Sequence, residues 1–103
     1  MKGNLETILL TVIDDKGRVY GQEIVREVQT RSGGALLLGP GSLYPPLRHL
    51  EQRGWIHGQR QLSPTGNGEV TYYTPTESGR AGLTKQRELT RAFIRDLEKL
   101  ARL

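Results

Sequence analysis

The chain has no cysteine among its 103 residues. That excludes a disulfide framework and thiolate chemistry, and it makes a reducing cytoplasm the natural setting. No run approaches the roughly 18 apolar residues of a membrane span. Glu6 interrupts what would be the apolar region of a signal peptide, and no small-residue cleavage site follows it. Catalytic signatures are missing too: there is no GxSxG, no HExxH, and no Gly-rich loop between a strand and a helix. The two histidines, His49 and His57, lack the spacing of a metal pair. No enzyme is expected, and nothing asks for a metal or a cofactor. Only 35% of residues are hydrophobic, so the core is modest and one small domain is expected.

What is present is a net charge of +4, unevenly placed. Residues 1–75 hold eight Lys/Arg against seven Asp/Glu, and residues 76–103 hold seven against four. The balance permits a nucleic-acid partner without demanding one.

The chain then reads as a series of short elements. Asn4 is positioned to cap a first helix, in which Leu5, Ile8, Leu9, Val12 and Ile13 form one apolar face. Asp14-Asp15-Lys16-Gly17 is expected to be a turn. A carboxylate pair suits metal or acid–base work, but no third ligand stands near, and a solvated turn is the simpler reading. A second helix spans about 21–31, with Ile24, Val25 and Val28 on one side and Glu27 and Arg31 at i,i+4 spacing. Gly33-Gly34 has no phosphate-loop context and reads as a helix stop. Ala35–Leu38 is a brief strand or an extended connection.

The most telling stretch is GPGSLYPPLRHLEQRGWI, residues 39–56. Ser42 is expected to cap a third helix whose Leu43, Leu47 and Leu50 make one stripe. Arg48, His49 and Gln52 lie on the other side, with Tyr44 at the flank. Gly54 ends the helix, and Trp55-Ile56 opens an extended run. A helix built this way is made to be presented to a partner, and DNA is the starting hypothesis. Two extended runs around Ser63–Gly68 then form a β-hairpin. Trp55 and the pair Tyr72-Tyr73 suit either base stacking or a small core, and the core is favoured with one tyrosine of the pair. Thr76 caps a last helix with a stripe of Leu89, Phe93, Ile94, Leu97 and Leu100, which Ala101 and Leu103 extend. That helix outruns the core available to it, so the stripe predicts a homodimer.

Three helices followed by a hairpin is the winged helix-turn-helix plan. The segments KGNLETILLTVI, YGQEIVREVQTRSGG, LGPGSLYPPLRHLEQRGWI and YYTPTESGR cover most of residues 2–80, and there the chain resembles the PadR-like transcriptional regulators. The resemblance implies an α+β, mostly helical fold. Residues 1–75 would form a winged helix-turn-helix domain and residues 76–103 a C-terminal dimerisation helix. It implies a dimeric bacterial repressor whose third helix enters the major groove of double-stranded DNA. The wing would touch phosphates or the adjacent minor groove. It also implies a small-molecule effector, often aromatic or lipophilic, that loosens binding at or near the dimer interface. The family's backbone-contacting positions fall on Ser42 and Tyr44, and its second-helix start on Tyr20 and Gly21.

Three positions depart from the family pattern. Pro46 stands where Ala is commoner. Gln22 stands where an aromatic is frequent. The wing tip SPTGNGE has only Arg60 nearby in place of a basic cluster, which matters because phosphate contacts supply most non-specific affinity. With Ser42 as cap, Pro45 and Pro46 would fall in the first turn, removing N–H groups a phosphate might use.

Two copies of the third helix, roughly 34 Å apart, would match an inverted repeat. Hydroxyls of Tyr20, Ser42 and Tyr44 would set register, and Arg48 and His49 would reach base edges. Each of the last two has a plain alternative as a solvent-facing residue. The rival function is a winged-helix module that binds protein, favoured by the near-neutral first 75 residues and the weakly charged wing. No aromatic cage marks an effector site, since Phe93 is the single aromatic beyond residue 75.

Overall fold

A computed structural model describes residues 2–102. Among the described residues, four helices and a small antiparallel sheet follow one another: α1 (Lys2–Lys16), β1 (Val19–Tyr20), α2 (Gly21–Arg31), α3 (Pro40–Gln52), β2 (Ile56–Leu62), β3 (Glu69–Pro75) and α4 (Glu77–Ala101). Leu103 lies outside the described residues. The helix α1 is the centre of the molecule. It touches α2, α3, β3 and α4, and Leu9, Leu10, Val12 and Ile13 are all buried. Leu10 is off the stripe the sequence suggests; it is buried because α1 is covered on more than one side.

Two helix ends differ from expectation. The helix α1 runs back through Asn4 to Lys2, so Asn4 is not its cap. At its other end Asp14 and Asp15 belong to the helix, and the chain turns at Gly17, where φ is +76°. The two carboxylates are ion-paired with separate partners: Asp14 with Arg80 of α4 at 3.2 Å, Asp15 with Arg31 of α2 at 2.8 Å. They stitch helices together and do not face a common ligand. Arg31 also holds Glu27 at 2.9 Å, and that hydrogen bond is the main reason the Glu27 carboxyl sits below its ordinary value.

Val19-Tyr20 forms a short strand that the sequence does not signal, because two residues are too few for a visible alternation. It pairs with the inner edge of the hairpin, Val19 opposite Tyr73 and Tyr20 opposite Tyr72, giving the sheet order β1-β3-β2. In the hairpin, Gly58 pairs with Tyr73 and Leu62 with Glu69. Tyr73 points into the core and is 7% exposed. Burial raises its phenol above the ordinary value, with Glu51 adding to the effect. Ala35–Leu38 is an extended connection with no ladder.

The start of α4 is locked to the end of α3. The hydroxyl of Thr76 accepts from Gly79 N–H at 3.0 Å and donates to the Gly54 carbonyl at 2.6 Å. Thr76 N–H bonds the Trp55 carbonyl. Gly79 and Gly82 leave a slot for Trp55: a Cβ on Gly79 would lie 2.0 Å from the Trp55 carbonyl oxygen, and one on Gly82 would lie 2.6 Å from the indole ring. Beyond Leu83, α4 leaves the core and gives the molecule its 59 Å length. Leu89, Phe93, Ile94, Leu97 and Leu100 are 48–64% exposed along it.

Candidate nucleic-acid interface

The segment α3 buries Leu43, Leu47 and Leu50, as its spacing predicts. Its beginning differs from the expected cap at Ser42. The helix starts at Pro40 with Gly39 as N-cap, and Gly39 contributes no side chain to the cap. Proline fits this first position because it has no N–H to leave orphaned. Ser42 is inside the helix, so it is not the cap. Its N–H, like that of Leu43, bonds the Gly39 carbonyl at 3.1 and 3.0 Å. Pro45 and Pro46 are therefore helix-interior residues. They do not strip donors from the first turn. Instead they leave the carbonyls of Gly41 and Ser42, four residues earlier, without their usual helical donors.

Helical spacing sorts the exposed residues of α3 into three groups. Directly opposite the leucines run Gly41, Pro45, Arg48 and Gln52, at i, i+4, i+7 and i+11. All four are exposed. On one flank stand Ser42 and His49, with the C-cap residue Arg53 beyond them, and on the other Tyr44 and Glu51. Gln52 is on the polar side in the sequence as well, but is not among the expected site residues. Its signal was there, one turn beyond Arg48 on the same line.

The flanks are held by neighbouring elements. Tyr44 leans on the start of α2: its hydroxyl would lie 3.2 Å from a Cβ at Gly21, a tight approach that the tyrosine would have to shift slightly to relieve. A cleft of about 270 Å³ follows, lined by Tyr20, Gln22, Tyr44, Arg60, Thr71 and Tyr73 among others. Arg60 reaches toward the Thr71 hydroxyl and the Glu69 carbonyl, both at 3.5 Å. The structure thus brings Tyr20, Tyr44 and Arg60 to one cleft between the wing, α2 and α3. The Tyr20 ring itself stands edge-on to Tyr72, 5.5 Å between centroids, and Arg18 covers the other ring at 3.7 Å. Tyr20 N–H donates to Glu23 at 3.2 Å, which closes the first turn of α2.

On the opposite flank His49 is turned toward α1. Its Nδ1–H donates to one oxygen of Glu6, and Arg53 donates to the other at 3.3 Å. His49 is thereby engaged away from the outward line on which Arg48 stands.

A three-helix core with the third helix outward, flanked by a β-hairpin, defines a winged helix-turn-helix protein. The model of the transcriptional regulator PadR-like family matches residues 9–85, and the chain belongs to that family. That places it among transcriptional regulators and not among enzymes. It is 31% identical over 85 residues to an uncharacterized protein of Lysinibacillus sphaericus, covering 82% of this chain and 76% of the other. Among solved structures it is similar to a PadR-like transcriptional regulator from Bacillus cereus, with 25% identity, a TM-score of 0.78, and 96% and 92% of the two chains covered. It is also similar to a Streptococcus transcriptional regulator, with 25% identity, a TM-score of 0.81, and 96% and 93% covered. Among the described residues no helix is long and apolar enough to cross a membrane.

Proposed function

We propose that the protein is a homodimeric, cytoplasmic repressor that reads an inverted-repeat operator with α3. The observation that carries this is the outward line Gly41–Pro45–Arg48–Gln52, set opposite the buried leucines on a helix held at both flanks. Gly41 and Pro45 are small and let the helix approach a groove floor. Arg48 can pair with guanine O6 and N7, and Gln52 with adenine N6 and N7. Tyr44, Tyr20 and Arg60 around the cleft supply phosphate contacts, and Ser42 supports register from the other flank. The segment 76–103 forms the dimerisation unit, and its five exposed apolar residues face a second copy. Two half-sites then engage at once, which compensates for a wing with little charge. An effector has room in a second cleft of about 280 Å³, lined among others by Ile8, Thr11, Val12, Val28, Arg31 and Leu36. Its volume is close to the lower end for ligand pockets.

The test is a shift assay on the promoter fragment upstream of its own gene, at low and moderate salt. Binding that weakens steeply with salt, with preference over random duplex, supports the proposal. No duplex binding at either salt supports the protein-binding module in its place.

A further inference from the structure

We propose that Glu6 is a positioning residue for DNA reading: it sets the roll of α3 about its own axis through a two-armed clamp on His49 and Arg53. This rests on the reading of α3 as the DNA helix. The buried contact of α3 is a stripe of three leucines. Such a stripe decides which face of the helix is buried, but three side chains along one line leave the finest adjustment of its roll to bonds with a fixed direction. Directional bonds must supply the rest. Glu6 is suited to that task. Its side chain is 17% exposed, and its two oxygens take separate partners one helical turn apart, His49 on α3 and Arg53 at the C-cap of that helix. A single carboxylate bonded at i and i+4 of another helix fixes that helix in azimuth as well as in distance.

The clamp continues beyond Glu6. The Arg53 guanidinium lies over the Trp55 ring, 3.8 Å from its centroid, and Trp55 fills the slot at Gly79 and Gly82 of α4. Next to Glu6 on α1, the Thr7 hydroxyl donates to Gln86 of α4 at 2.8 Å. Glu6, Arg53, Trp55 and Gln86 line one shared hollow. The carboxylate thus stands where α1, the end of α3 and the start of α4 meet. Arg48 must reach its base within the roughly 10–20° tolerance of a preorganised site, so a small roll would remove a bidentate contact without loosening the core.

The test uses the full chain and two readouts. Glu6→Gln keeps the shape of the side chain and removes its charge; His49→Ala removes one arm at an exposed residue. Hydrogen exchange is followed at the amides of Arg53, Gly54 and Trp55, which bond back to the His49, Glu51 and Leu50 carbonyls. Amides of Ser32 and Gly34, at the end of α2, serve as internal references. The second readout is the ratio of affinities for the promoter fragment and for random duplex, with its salt slope. Glu6→Gln is expected to speed exchange at the three amides, with the references unchanged. It should also lower the affinity ratio by about threefold or more, the size of a partly exposed charge pair. The salt slope should not change, since no phosphate contact is lost. His49→Ala should do part of the same, and the double variant no more than Glu6→Gln alone. Unchanged exchange overturns the clamp. Faster exchange with an unchanged ratio overturns the positioning role. A parent protein with no preference for the promoter overturns the DNA reading and the positioning role with it, while exchange still reports the clamp independently.

Discussion

Replacing Phe93 by Glu is the sharpest test of what α4 is for. Phe93 is 64% exposed in the single chain. Complete burial of such a side chain is worth about 1.5–3 kcal/mol, so covering its exposed share against a second copy would contribute about 1–2 kcal/mol. A symmetric dimer counts the residue twice, for about 2–4 kcal/mol. Phe93→Glu forfeits that and adds the desolvation of a carboxylate, so the dimer dissociation constant should rise by roughly thirtyfold to a thousandfold or more. Sedimentation equilibrium over a range of concentrations measures it directly. The control is Leu62→Glu: Leu62 is 67% exposed, but on the wing, and its replacement should leave the equilibrium alone. A Phe93→Glu protein that associates as the parent does would refute the reasoning, as would an equal effect from Leu62→Glu.

Arg48→Ala should relax sequence preference by about 1–3 kcal/mol at one base pair of each half-site, and Gln52→Ala at a different one; binding to a panel of single-base operator variants reads both. Gly79→Ala should lower the melting temperature sharply. Its Cβ would stand 2.0 Å from the Trp55 carbonyl oxygen, an overpacking cost of about 1–3 kcal/mol; an unchanged thermal midpoint would contradict the slot. Replacing Pro45 and Pro46 by Ala should stabilise the protein by about 1–2 kcal/mol in urea unfolding. Two helical bonds are regained, partly offset by a looser unfolded chain. The Glu27 carboxyl is held below its ordinary value of 4.5, first by Arg31. Its contribution is therefore present above that value and lost as pH falls through the lower folded-state one. Glu27→Gln should flatten this part of the acid limb of a stability profile and change nothing in its shape near neutrality.

Periodicity and turn chemistry made much of this fold legible. The leucines of α3, the apolar faces of α1 and α2, the Thr76 cap and the hairpin all follow from residue spacing. Motif resemblance carried the family. Helix starts were the weak point. Ser42 looked like a cap because Ser caps are common, whereas Gly39 followed by Pro40 satisfied the same end through backbone conformation and a missing N–H. That shift of three residues moved both prolines into the helix interior. The orientation of His49 was not legible either. Its partner Glu6 lies 43 residues away, and no local pattern announces a pairing between separate helices. Leu10 and the strand Val19-Tyr20 escaped for a related reason: both owe their place to elements distant in sequence.

The indole slot has a mechanical consequence. With Trp55 seated against Gly79 and Gly82, and Thr76 tied to Gly54, the 25 residues of α4 are rooted at the end of α3. They form a rod of roughly 37 Å. In a dimer joined along the far parts of two such rods, each reading helix sits at the tip of a lever. A base-pair step is about 3.4 Å along the duplex axis, and a swing of about 5° moves a tip that far. The pair would act as calipers, converting a slight change of angle at a distant seam into a mismatch with the spacing of the two half-sites.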